Sequence, residues 1–159
     1  MDADFIALGV LVRQVCVGPA LVVAEAELPE GASPPAHIHR DLDDSFYVLS
    51  GRMVVRCGDD TTLAEDGTWV PFPRQVPHTF RVLDGPARIL LVHTDDSFLE
   101  FFRAVGRPVR AGDVATTGSG PTREELDRLS LEHGIENVGP SMEEEEARAW
   151  LSRLRVGAA

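Results

Sequence analysis

The stretch GASPPAHIHRDLDDSFYVLSG, Gly31 to Gly51, decides the fold. His37 and His39 stand two residues apart, and on a strand residues i and i+2 point to the same face, so both imidazoles reach one point. After a turn over 40–43, Asp44 opens the strand SFYVLSG, and a hairpin folds its carboxylate back beside the two rings. Asp44, Phe46 and Val48 then share one face, while Ser45, Tyr47 and Leu49 share the other. Downstream, GTWVPFPRQVPHTF (Gly67 to Phe80) puts His78, Phe80 and Val82 in alternation with Thr79 and Arg81, so His78 is expected to face inward. A buried imidazole nitrogen with neither hydrogen bond nor metal is costly. Three neutral nitrogens and one oxygen converging inside a barrel suit Fe, Mn, Ni, Co, Cu or Zn, with room left for water or substrate.

Around this segment the chain reads as short strands. Val10–Val17, Ala20–Leu28, Ser45–Leu49, Met53–Cys57, Trp69–Phe72, Thr79–Leu83 and Ala87–His93 are apolar or alternating. They are cut at Gly18-Pro19, Pro29-Glu30-Gly31, Ser50-Gly51, Gly58-Asp59-Asp60, Asp66-Gly67 and Asp84-Gly85-Pro86. Strands at this spacing with no helical pattern between them predict an antiparallel sandwich or barrel. After Asp95 the pattern turns helical. SFLEFFRAV (97–105) has one apolar face, and a Gly/Thr/Ser-rich loop follows over 106–121. Thr122-Arg-Glu-Glu125 and Ser141-Met-Glu-Glu144 are capping boxes, opening helices that end near His133-Gly134 and Leu154. The run Glu143 to Glu146 is expected to be a solvated helix start. The division is thus a barrel over 1–95 and a helical extension over 96–159, packed on or beside it.

These residues resemble a known family. The cupin pattern G-x5-H-x-H-x3–4-E-x6-G is matched by Gly31, His37, His39, Asp44 and Gly51, and G-x5-P-x-G-x2-H-x3-N by Gly67, Pro73 and His78. The resemblance implies an all-β fold, the double-stranded β-helix or jelly-roll barrel, with a metal held inside by His37, His39, Asp44 and His78. Three positions depart from the pattern. Asp44 replaces Glu and is one methylene shorter, which leaves open a direct ligand, a water-mediated one or a general base. Gln75 stands at a Gly position and Val82 at an Asn. The tail SFLEFFRAVGRP with TREELDRLSLEHGIENVGP is similar to that of cupins like quercetin 2,3-dioxygenase. That likeness implies metal-dependent dioxygenation of an aromatic or enolic small molecule, with Asp44 as catalytic base. A non-redox polyketide cyclase and a binding cupin without turnover are the alternatives. Cupins are commonly dimers, and the apolar segment Phe5 to Val17, as an edge strand, predicts a homodimer.

Composition narrows the rest. The chain has 159 residues, a net charge of −11, and 15 basic residues, all of them Arg. Without Lys there is no Schiff-base chemistry and no P-loop lysine. An acidic chain without a basic stripe is a poor candidate for nucleic acid or an anionic membrane. No apolar run is long enough to span a bilayer, and Asp2 and Asp4 precede the longest one, unlike a signal peptide. Two cysteines make no disulfide framework, and a cytoplasmic location follows as the simplest context. Cys57 reads as an inward, inert thiol, and His93 and His133 as satisfied surface or capping residues. The inward set Phe46, Val48, Met53, Phe72, Phe80 and Leu90 predicts an apolar pocket with one charged or metallated end. Such a pocket suits a flat ligand bearing one or two oxygens and disfavours sugar phosphates.

Overall fold

The computed structural model describes residues 4–18, 20–117 and 120–157. Pro19 of the expected Gly18-Pro19 turn, and Gly118 and Ser119 of the 106–121 loop, lie outside the described residues. Among the described residues ten strands occur in chain order: β1 (Phe5–Ala7), β2 (Val10–Val17), β3 (Val22–Leu28), β4 (Pro35–His39), β5 (Asp44–Cys57), β6 (Asp60–Glu65), β7 (Trp69–Phe72), β8 (His78–His93), β9 (Arg107–Pro108) and β10 (Ile135–Ser141). Three helices follow the barrel strands: α1 (Ser97–Val105), α2 (Arg123–Glu132) and α3 (Glu144–Gly157). The sheet runs β10-β4-β8-β3-β2-β1-β9, and β5 pairs with β8, β6 and β7. It is all-antiparallel and curled, but the ladder does not close on itself.

Two long strands organise it. The expected pairs Ser45–Leu49 with Met53–Cys57, and Thr79–Leu83 with Ala87–His93, are each one bent strand, β5 and β8. They pair from Asp44↔His93 to Cys57↔His78, with register shifts between Val48 and Arg52. At the bend Gly51 has φ +101°, and a Cβ there would lie 2.7 Å from the Ala87 Cα. Only glycine lets the strands cross this closely. Opposite it, Asp84 and Gly85 also take positive φ. The bend shifts the alternation by one residue. In β8 His78 and Val82 face in before it, and Ala87, Ile89, Leu91 and His93 after it.

Inward residues of β1, β2 and β3 (Phe5, Val12, Val22, Ala24, Ala26) fill the main core with Phe46, Val48, Met53 and Val55. The helical extension is woven into this fold. β10 pairs with β4, β9 pairs with β1, and Leu99, Phe101 and Phe102 of α1 join the main core. On the outer side of β5 and β8, Val54 and Leu83 bury Met142, Ala147 and Leu151. The glutamate run is exposed along its length, as expected of a solvated helix start, and two of its members also pair with arginines of the sheet. Glu144 lies 3.5 Å from Arg81, and Glu146 pairs with Arg56. Exposed pairs of this kind contribute about 0–1 kcal/mol each, so the apolar cluster does more than they do to hold α3 down. The Thr122 capping box forms with both of its reciprocal hydrogen bonds, which fixes the start of α2.

Candidate metal centre and ligand cavity

β4 sets His37 and His39 in place, and β8 supplies the rest. His37 pairs directly with His78 across β4 and β8. Because β8 curls, both of its ends reach the same place. The His39 ring centroid lies 5.3 Å from that of His78 and 6.3 Å from that of His93. One ring nitrogen from each of His37, His39 and His78 lies within 4.8 Å of the others. His37 Nδ1 is 2.8 Å from the Pro35 carbonyl oxygen, and His78 Nδ1 is 2.9 Å from that of Val76. These carbonyls accept from Nδ1–H, so each Nε2 presents a lone pair, the tautomer a metal ligand needs. His78 Nε2 and both nitrogens of His39 are buried without a partner. Burial lowers the pKa of His39 to about 2 and of His78 to about 3, and lowers that of His37, so all three rings are neutral donors at neutral pH. The donor set fits a divalent transition metal.

The turn before His78 explains one departure from the cupin pattern. Gln75 takes φ +63°, the conformation glycine adopts at no cost, and its backbone N–H donates to the His39 carbonyl at 2.7 Å. The β4–β5 turn is bound to the same loop, since Asp43 accepts from the Arg74 backbone and guanidinium at 2.9 Å each.

Asp44 sits beside the three histidines rather than among them. Its Oδ2 is 3.6 Å from His39 Nε2, and its Oδ1 is 3.3 Å from His93 Nδ1. Desolvation holds its pKa well above the usual carboxylate range. His93 departs from its expected surface role. It is 1% exposed, neither ring nitrogen has a hydrogen bond, and burial lowers its pKa to about 4. Its ring stacks on Phe98 of α1 at 4.4 Å. His133 ends α2, as expected. Cys57 is half-buried against the main core, opposite His78 in the ladder.

A cavity of about 510 Å³ opens from the histidines toward the extension. Six of the chain's seven phenylalanines line it: Phe46, Phe72 and Phe80 from the barrel, and Phe98, Phe101 and Phe102 from α1. Of the expected lining, Val48 and Met53 belong instead to the packed core, and Leu90 points the other way, opposite Tyr47 and Glu25. Ile89 and Leu91 take the place of Leu90 in the wall. Asn137 of β10 and Leu126 of α2 also line the cavity, so the extension forms part of its wall.

Comparison with known proteins agrees with this geometry. The family described as "Cupin domain" matches residues 24–93, the span that carries all four expected site residues. Residues 24–93 are a cupin domain. The chain is similar to several solved cupin-fold structures. KdgF from Halomonas sp. is 19% identical with a TM-score of 0.54, covering 59% of this chain and 86% of that one. An RmlC-like cupin from Shewanella frigidimarina is 17% identical with a TM-score of 0.53, covering 58% and 84%. The polyketide cyclase RemF from Streptomyces resistomycificus is 25% identical with a TM-score of 0.51, covering 58% and 73%. No curated protein matches. No helix among the described residues is long and apolar enough to cross a membrane.

Proposed function

We propose that this cupin is a metal-dependent enzyme acting on an aromatic or enolic small molecule. The observation that carries the reading is the juxtaposition of three neutral histidines with a cavity walled by six phenylalanines. No arginine lines that cavity among the described residues, and the chain has no lysine, so a phosphorylated ligand has no partner there. His37, His39 and His78 would hold the metal through ring nitrogens. Bound there, it would supply Lewis acidity or redox capacity. The phenylalanines bind and orient a flat ligand and keep water out. Asp44, which lines the cavity and is nearly dry, takes the ligand's hydroxyl proton, with its Oδ1 turned to His93 Nδ1 at 3.3 Å.

Dioxygenation, as in quercetin 2,3-dioxygenase-like cupins, is the first reading of the reaction. Cyclisation without oxidation is the second, favoured by the similarity to RemF. Oxygen uptake with flavonols, 1,3-diketones and polyhydroxynaphthalenes, under air and under argon, separates them. Dioxygen consumed in step with substrate supports the first, and turnover unchanged under argon supports the second. Binding without turnover by metal-loaded protein overturns both in favour of a binding cupin.

The same proposal includes a homodimer in the cytoplasm. Phe5, Val10 and Val12 are used in the chain's own core, so the face left for a second copy is Val15, Val17 and Leu21 with the cross-strand neighbours Tyr47 and Trp69, all exposed. Free Cys16 and Cys57 fit a reducing compartment. A sedimentation mass near 17.3 kDa at micromolar concentration would contradict the dimer.

A further inference from the structure

Most polar side chains lining the cavity are already engaged. Ser33 Oγ donates to the Met142 carbonyl at 3.1 Å and accepts from the Met142 backbone N–H at 3.0 Å. His37, His78 and Asp44 belong to the site described above, and Thr117 is exposed on the rim. Asn137 is different. It lies on β10, the strand that the extension adds beside β4, and its ladder partner is His37. Directly opposed residues of an antiparallel pair project to the same face with Cβ atoms about 4.5–5.5 Å apart, so Asn137 enters the cavity next to a candidate metal ligand.

Its orientation is fixed from behind. Asn137 Nδ2 is 2.6 Å from Asp127 Oδ1 on α2, and Arg123 Nε donates to the same carboxylate at 2.9 and 3.0 Å. An ionised carboxylate only accepts, so the amide must turn its NH₂ toward Asp127. That leaves Oδ1 as the amide's acceptor, to which no hydrogen bond is assigned among the described residues. Buried apolar cavities commonly take their specificity from one such placed polar atom.

We infer that Asn137, clamped by Asp127, is a specificity-determining residue whose Oδ1 accepts a hydrogen bond from a second hydroxyl or N–H of the ligand, close to the oxygen that faces the histidines. The ligand class narrows from aromatic or enolic molecules to those with two neighbouring polar groups, at least one of them a donor. This rests on the proposed reading of the cavity as the ligand site. The extension then selects the ligand, while the barrel carries the chemistry.

The test is equilibrium binding of 2,3-dihydroxynaphthalene and 3-methoxy-2-naphthol, read by naphthol fluorescence, with metal-free and zinc-loaded protein. The parent should prefer the diol in both forms by about two- to tenfold, the range of one neutral hydrogen bond. Asn137→Ala should abolish that preference in the metal-free form and leave affinity for the methyl ether within about twofold. Asp127→Ala, which frees the amide without removing it, should reduce the preference and leave zinc stoichiometry unchanged. It also carries the test if Asn137→Ala does not fold. A preference that survives both substitutions overturns the inference, as does equal binding of the two probes by the parent, which would leave the cavity reading intact. Binding of neither probe would overturn the cavity reading itself, and the inference with it.

Discussion

Replacing Phe98 with alanine tests whether the extension is part of the site. The ring stacks on His93 at 4.4 Å, meets Phe102 edge-on at 4.6 Å and lies 5.6 Å from the His39 ring. A fully buried Phe→Ala change costs about 3–5 kcal/mol, and each aromatic contact accounts for about 0.5–1.5 kcal/mol beyond area. Phe98 is only partly buried, because one side faces the cavity. The expected loss is therefore about 2–3 kcal/mol, or roughly 5–10 °C in Tm for a chain of this size. Urea unfolding of metal-free protein measures it without interference from the metal. Phe98→Leu, which keeps apolar bulk, should recover most of the loss. Metal stoichiometry should not change, since no donor atom is touched. A loss below about 0.5 kcal/mol would be the value of an ordinary surface substitution. It would refute the packing of α1 over the histidines.

Other outcomes follow from the buried polar groups. Asp44→Asn keeps the shape but removes the charge, so it should weaken metal binding or, with metal retained, slow turnover by about 10²-fold or more. Asp44→Glu adds reach: tighter metal binding would show that Asp44 stands off the metal, looser binding that it already coordinates, and no change in either variant would reduce it to a strand-initial residue. In metal-free protein, stability should fall as pH drops from about 6.5 toward 4. Over that window the unfolded histidines take up protons that His39, His78 and His93 refuse in the fold, their pKa values being about 2, 3 and 4. Each contributes up to about 1.4 kcal/mol per pH unit, while Asp44, with its raised pKa, opposes them as a single group. A urea midpoint that is the same at pH 7 and pH 5 would contradict the burial of these rings.

The histidine cluster was legible because strand periodicity and two turn-bounded motifs both point to it. Gly31, His37, His39 and Gly51 lie in one short stretch, although β4 pairs with β8 and β10 and not with β5 as the expected hairpin required, and the alternation His78, Phe80, Val82 needs no tertiary knowledge. What could not be read is the bend at Asp84-Gly85, where two positive-φ residues shift the inward phase by one. That single shift turns Leu90 out of the pocket and brings His93 in, against the expected phase, because Ala87, Ile89, Leu91 and His93 are the inward series. β10 was hidden for another reason. IENVGPS has weak strand character, and its pairing partner β4 is about a hundred residues away, so only the tertiary ladder makes it a strand. The contribution of Asn137 and the α1 phenylalanines to the cavity wall was hidden along with it. The apolar face of SFLEFFRAV showed that the helix packs, but not against what.

We propose that His37, His39 and His78 form a transition-metal site. Elemental analysis tests it most directly, on protein purified without chelator or affinity metal and compared with His39→Ala. The parent should carry about one equivalent of transition metal per chain, and the variant should lose most of it. A metal-to-protein ratio unchanged by His39→Ala, or a folded parent that neither carries nor takes up a transition metal, would contradict the account.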